Sequence, residues 1–99
     1  MPRMIEVHKA LVDPANADAL VALRPRLIDA VRRVRPGLVS ATLVRVDERT
    51  WLDILEWESR EVAEAGDNAE MALPEAQELM ALIEQSISAD AGEVAHRAP

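Results

Sequence analysis

From Met4 to Val12 the side chains alternate, Ile5, Val7 and Leu11 on one side against Met4, Glu6, His8 and Ala10 on the other. A period of two predicts a strand with two unlike faces. Asp13 and Pro14 end it. Beyond them Ala19, Leu20, Leu23, Leu27, Ile28, Val31 and Val34 recur at three- and four-residue spacing, which predicts an amphipathic helix. Pro25 inside that run has no N–H to give the preceding turn, so a kink is expected, or two consecutive helices with the second starting near Pro25. Pro36 and Gly37 close the helix.

Residues 38–47 and 50–58 are rich in apolar and β-branched side chains and are separated by a charged turn, which predicts a hairpin. The turn lacks an Asn-Gly or Asp-Gly pair, so it fixes the register less firmly than the strands do. Ser59 is placed to cap a short helix through Ala65, with Gly66 as its C-terminal cap. A loop is expected over 67–73. Pro74 suits the first position of another helix, which carries Leu79, Met80, Leu82, Ile83 and Ile87 towards the core. Residues 89–98 are expected to supply the last strand.

Strand, helix, strand, strand, helix, strand is the ferredoxin-like order, an α+β fold with helices on one face of an antiparallel sheet. On the third strand Leu52 and Ile54 alternate with Trp51, Asp53, Leu55 and Trp57, so both faces carry large apolar groups. One face can meet the helices. The other is expected to meet the sheet of a second subunit, which predicts a homodimer, the rival reading being that Leu52 and Ile54 are simply tolerated on an exposed face.

The chain has 99 residues, enough for one domain over 1–99. A domain this small buries about 60–65% of its unfolded surface, so association would add useful apolar burial. Its 49% hydrophobic and 29% charged composition is that of a globular protein. A net charge of −7 argues against nucleic acid as partner. The basic cluster Arg24, Arg26, Arg32, Arg33 and Arg35 reads as the solvated face of the first helix. With no cysteine and only His8 and His96 for imidazole, neither a disulfide framework nor a metal site is expected. The N-terminus lacks a signal-like apolar run and no segment approaches the ~20 apolar residues of a membrane span, so no membrane partner and a cytoplasmic location are expected.

Candidate chemistry is sparse. His8 sits mid-strand, where an imidazole can exchange protons near neutral pH or simply hold a structural hydrogen bond. Trp51 and Trp57 share a strand face and can floor an aromatic site or fill the core. Met71 and Met80 can line an adaptable wall beside them or plug gaps.

The segment PGLVSATLVRVDERTWLDILEWES, residues 36–59, resembles the second and third strands of the antibiotic biosynthesis monooxygenase family. The shared features are a Pro-Gly entry, a small-residue step at Leu38-Val39-Ser40-Ala41, a charged turn and a strand ending in Trp57-Glu58-Ser59. The resemblance implies a homodimer whose sheets form a barrel. It also implies oxidation of small aromatic or polyketide-like substrates with no cofactor, the electron-rich substrate passing an electron to oxygen itself.

In that family Trp57 would hold the substrate together with an Asn at the position of Asp53. Ionised Asp cannot donate as Asn does. A desolvated Asp53 would instead have a raised pKa and act as a base, or Asp53 is structural, bonded to an arginine or a helix-end amide. The family's tyrosine is also missing, with Ala63 at its place. Expected site residues are therefore Asp53 and His8 for proton handling and Trp57, Trp51, Met71 and Met80 for substrate binding. The leading expectation is a cofactor-independent monooxygenase. A non-oxidative cyclase or isomerase, or a ligand-binding dimer without catalysis, would use the same pocket.

Overall fold

The computed structural model describes residues 2–99, the side chain of Asp67 apart. Strand β1 (Met4–Val12) leads through a 3-10 turn (Pro14–Asn16) into helix α1 (Ala17–Val34), followed by β2 (Leu38–Arg45) and β3 (Thr50–Trp57). Two short helices, α2 (Arg60–Glu64) and α3 (Asp67–Met71), precede α4 (Pro74–Leu82), and β4 (Ile83–Glu93) closes the chain. The four strands form one antiparallel sheet in the order β2-β3-β1-β4. Helices pack on one face, and the fold is ferredoxin-like.

Local signals explain most boundaries. The Asp13 carboxylate accepts from the Ala15 N–H at 2.9 Å and starts the 3-10 turn. Ser59 Oγ accepts from Val62 N at 3.2 Å and caps α2, and Gly66, at φ +84°, supplies the left-handed residue just past its end. Asp47 substitutes for the missing hairpin dipeptide: one carboxylate oxygen accepts from the backbone N–H of Arg49 and of Thr50, at 3.0 and 2.8 Å. The Arg49 amide is the larger of the influences holding the Asp47 carboxyl below its usual range.

Three expectations change. Helix α1 continues through Pro25 as one element rather than two. Pro25 and Val21 both lie on the exposed side, where water can serve the Val21 carbonyl that the proline leaves without a donor. Residues 67–71 form α3 instead of a loop. The last strand starts at Ile83, six positions before the predicted start, because α4 stops at Leu82. Ile83 is already extended, at φ −81° and ψ 122°, and β-branched Ile83 and Ile87 suit a pleated strand better than a helix.

Strand pairing fixes which side chains share the inner face. Met4 faces Trp57, Glu6 faces Leu55, His8 faces Asp53 and Ala10 faces Trp51. At one end Met4, Leu23, Leu27, Val31, Leu38, Trp57, Ala63 and Ala76 form a buried cluster. At the other, Val12, Ala17, Leu20 and Trp51 form a second. On the opposite face of the sheet Ile5, Val7, Leu11, Val44, Leu52 and Ile54 are only half-buried. Among the described residues no helix is long and apolar enough to cross a membrane.

The entry to β2 is tight. A Cβ placed on Gly37 would lie 2.2 Å from Val62 Cγ1, and Val62 is stiff at χ1. Gly37→Ala is expected to destabilise by about 1–3 kcal/mol through overpacking. Adding Val62→Ala should recover part of that loss in a urea-denaturation double-mutant cycle, and strict additivity would show that the clash is not the cause.

Candidate functional site

Between the two buried clusters the inner face of the sheet carries Glu6, His8 and Ala10 from β1 and Asp53 and Leu55 from β3. Those side chains are too short or too polar to fill the gap beneath α1 and α4, and a cavity of about 400 Å³ remains there. Leu20, Leu27, Ile28 and Val31 of α1 roof it, Leu43 and Trp51 floor it, and Ala76 and Leu79 of α4 close one side. Met71, Met80 and Ile87 line it too, yet each is nearly half exposed. They form an apolar mouth. The volume lies within the roughly 300–1,000 Å³ of small-molecule sites.

His8, Asp53 and Arg24 are among the polar residues that line this space, with Lys9, Glu70, Ser86 and Ser88. Asp53 lines the cavity and accepts a hydrogen bond from Arg24 Nη2 at 2.5 Å, an ion pair from sheet to helix. His8, directly across the strand pair, has its Nε2 3.6 Å from Glu6 Oε2. The Glu6 carboxylate holds the His8 imidazole protonated to a higher pH than usual, with smaller contributions from Asp53 and Glu70, while desolvation opposes it. In return His8 holds the Glu6 carboxyl below its usual range, helped by the charge of Arg35. Glu70 of α3 also lines the cavity and accepts from Arg35 Nη1 at 2.9 Å.

Five of the six expected site residues, Asp53, His8, Trp51, Met71 and Met80, therefore line one cavity. Trp57 is not among its walls. It is fully buried in the end cluster with the Arg35 guanidinium 3.8 Å above its ring. Six residues of extended chain separate the two tryptophans by about 20 Å, so one face does not make one floor. Asp53 is met by a guanidinium, as in the structural alternative of an Asp bonded to an arginine, and not by apolar neighbours alone as the base reading requires.

Arg24, Glu6 and Glu70 were not anticipated. Arg24 belongs to the basic cluster that reads as a solvated face, but it lies four residues after Leu20 and three before Leu27, on the same stripe. Glu6 shares the His8 face by its period of two. Both signals were present in the sequence. Glu70 had none, because its helix was not foreseen. Among the described residues no three His, Asp or Glu side chains converge to hold a metal ion.

These features define a ferredoxin-like domain with a ligand-sized cavity between its sheet and its helices. No family model matches the chain and no curated protein does, whereas solved structures match over nearly its whole length. SnoaB, a cofactor-independent oxygenase from Streptomyces nogalater, is 20% identical, with 100% of this chain and 97% of that one covered at a TM-score of 0.64. A protein from Bordetella bronchiseptica assigned as an antibiotic biosynthesis monooxygenase is 16% identical, covering 97% and 100% at 0.73. A dimeric ferredoxin-like protein from an uncultured marine organism is 12% identical, covering 100% and 93% at 0.74. The chain has the fold of the antibiotic biosynthesis monooxygenases.

Proposed function

We propose that this protein is a cofactor-independent monooxygenase for a small aromatic or polyketide-like molecule, working as a homodimer. The observation that supports it best is the cavity itself: apolar walls, an apolar mouth, and the His8–Glu6 and Asp53–Arg24 pairs facing each other at one place on the inner face. Such a site can hold a flat molecule, exclude water and take up one proton. It shares its fold with SnoaB.

In this reading His8 removes a proton from an acidic carbon of the substrate, and the imidazolium stays beside the resulting anion. Trp51 and the α1 side chains stack against the rings. The anion passes one electron to dioxygen, and the substrate radical and superoxide combine to form a C–O bond. His8 returns its proton to the peroxide. Loss of water then breaks the O–O bond and a C–H bond and leaves a carbonyl, so that one oxygen atom ends in product and the other in water. The Asp53–Arg24 pair acts as a fixed brace across the cavity.

Oxygen uptake by the purified protein with anthrones, naphthoquinols and hydroquinones tests this. Uptake that needs His8 supports it. Turnover that continues without oxygen would reassign the site to a cyclase or isomerase, and binding without turnover would make it a ligand-binding module.

The dimer reading draws on the apolar outer sheet face, Ile5, Val7, Leu11, Val44, Leu52 and Ile54, which no helix covers, and on the dimeric ferredoxin-like relative. Ultracentrifugation at micromolar concentration should give twice the chain mass. Val7→Lys with Ile54→Lys should give a monomer, and a wild-type monomer would overturn the reading.

A further inference from the structure

We propose that Glu6 is the positioning residue of this site, holding the His8 ring by its Nε2 side so that Nδ1 is the nitrogen that exchanges a proton with the bound molecule. The inference rests on the reading of His8 as proton acceptor, and it adds a residue and an atom to it.

The geometry begins with the strand. Residues two apart on β1 project from the same face, so Glu6 and His8 are side by side on the inner surface. Glu6 Oε2 lies 3.6 Å from His8 Nε2, within ion-pair distance, and the two side chains are 23% and 45% exposed. A carboxylate at Nε2 favours the tautomer that carries its hydrogen there, because carboxylate oxygens only accept. Nδ1 is then left with a free lone pair. That is the requirement for a general base whose other nitrogen is oriented by an acid group.

Charges on β3, α3 and α1 agree with this role, and β4 sets the uncharged Ala89 beside His8. Asp53 faces His8 from β3, and Glu70 acts on it from α3. Arg24 of α1 is bound to Asp53, and Arg35, just past α1, is bound to Glu70. Three carboxylates thus stand against two guanidiniums, and the protonated His8 balances the set. Taking a proton from the substrate neutralises the cluster rather than charging it. Glu6, the nearest of the three to the ring, supplies the largest part of the upward push on His8, with Asp53 and Glu70 adding to it.

The sign of the pH effect follows. A base must be unprotonated to act, so kcat/KM should rise with pH through the His8 midpoint, and Glu6 places that midpoint above the ordinary imidazole value. Glu6→Gln should lower it, because the largest upward influence on the ring is removed. The variant would then start working at lower pH, with a lower plateau because its tautomer is no longer fixed. Glu6→Asp keeps the charge and should restore most of both.

The test is an NMR titration of the His8 imidazole, with ¹⁵N shifts to read the tautomer, in wild type, Glu6→Gln and Glu6→Asp, alongside pH profiles of oxygen uptake with an anthrone. A dispersed spectrum shows that each variant is folded. The expected result is an Nε2–H tautomer in wild type, and a titration midpoint and kinetic limb that fall together in Glu6→Gln. An unmoved midpoint, or an Nδ1–H tautomer in wild type, would overturn the proposal. So would a shifted midpoint with an unshifted limb, since His8 would then not be the base. Should wild type take up no oxygen while the midpoint and tautomer behave as expected, the oxygenase reading fails and the Glu6–His8 pairing stands.

Discussion

Replacing His8 by Asn is expected to lower kcat/KM for oxygen uptake by about 10²–10⁴-fold, the range a positioned acid–base group supplies. Asn keeps a polar side chain on the strand but has no nitrogen that accepts a proton near neutral pH. The His8 side chain is 45% exposed, belongs to neither buried cluster and loses a partly exposed ion pair with Glu6, so unfolding should change by no more than about 1 kcal/mol. The two measurements together separate chemistry from folding. A fall in activity matched by a fall in stability would assign His8 to structure, and an unchanged kcat/KM would move the proton-handling role to Asp53.

Arg35→Ala is expected to have the largest effect on stability, about 3–5 kcal/mol in urea denaturation, the usual cost of breaking a buried charged pair. The side chain is 3% exposed. Its Nη2 donates to the carbonyl of Ala63 at 2.6 Å and more weakly to that of Val62, its Nη1 bonds Glu70, and its guanidinium stacks on Trp57. Alanine would leave a carboxylate and the end of α2 without their donor, and a void over the indole. Lysine should not rescue it, because an ammonium has neither the planar fork nor the flat face that stacks. Glu70 and Met71 line the cavity from α3, so ligand binding should weaken as well. A loss below about 1 kcal/mol would mean that water replaces the arginine at these groups.

Both residues bear on how legible the site was. His8 stands out by residue type and strand position and Asp53 only through the family resemblance, and the register sets them opposite one another. Trp51 and Trp57 share the signal of large aromatics on one strand face, and the family resemblance favours Trp57 for the ligand, yet Trp51 is the one that lines the cavity. Which one meets the cavity depends on what α1 places above each end: Leu23, Leu27 and Val31 close over Trp57, while the short side chains at the sheet centre leave the space beside Trp51 open. The arginines show the same limit. A helix stripe separates Arg24 from Arg26, Arg32 and Arg33, but Arg35 lies beyond the helix, where periodicity says nothing of burial.

The alternation of β1 and β3, the apolar stripe of α1, the Ser59 cap and the Pro74 start are written in the order of the residues alone. These are set by interactions within a few residues, and the period of the side chains encodes them directly. From them follow the ferredoxin-like order and the residues available to the inner face. Only the tertiary structure decided the start of β4, where a helix and a strand meet without a breaker between them, and the existence of α3. It alone made the cavity, because a void is a property of how volumes from β1, β3, α1 and α4 add up. It also chose the partners of the charges, Arg24 for Asp53 and Arg35 for Glu70, since residues 29 and 35 positions apart in the chain meet only once the helices are laid on the sheet.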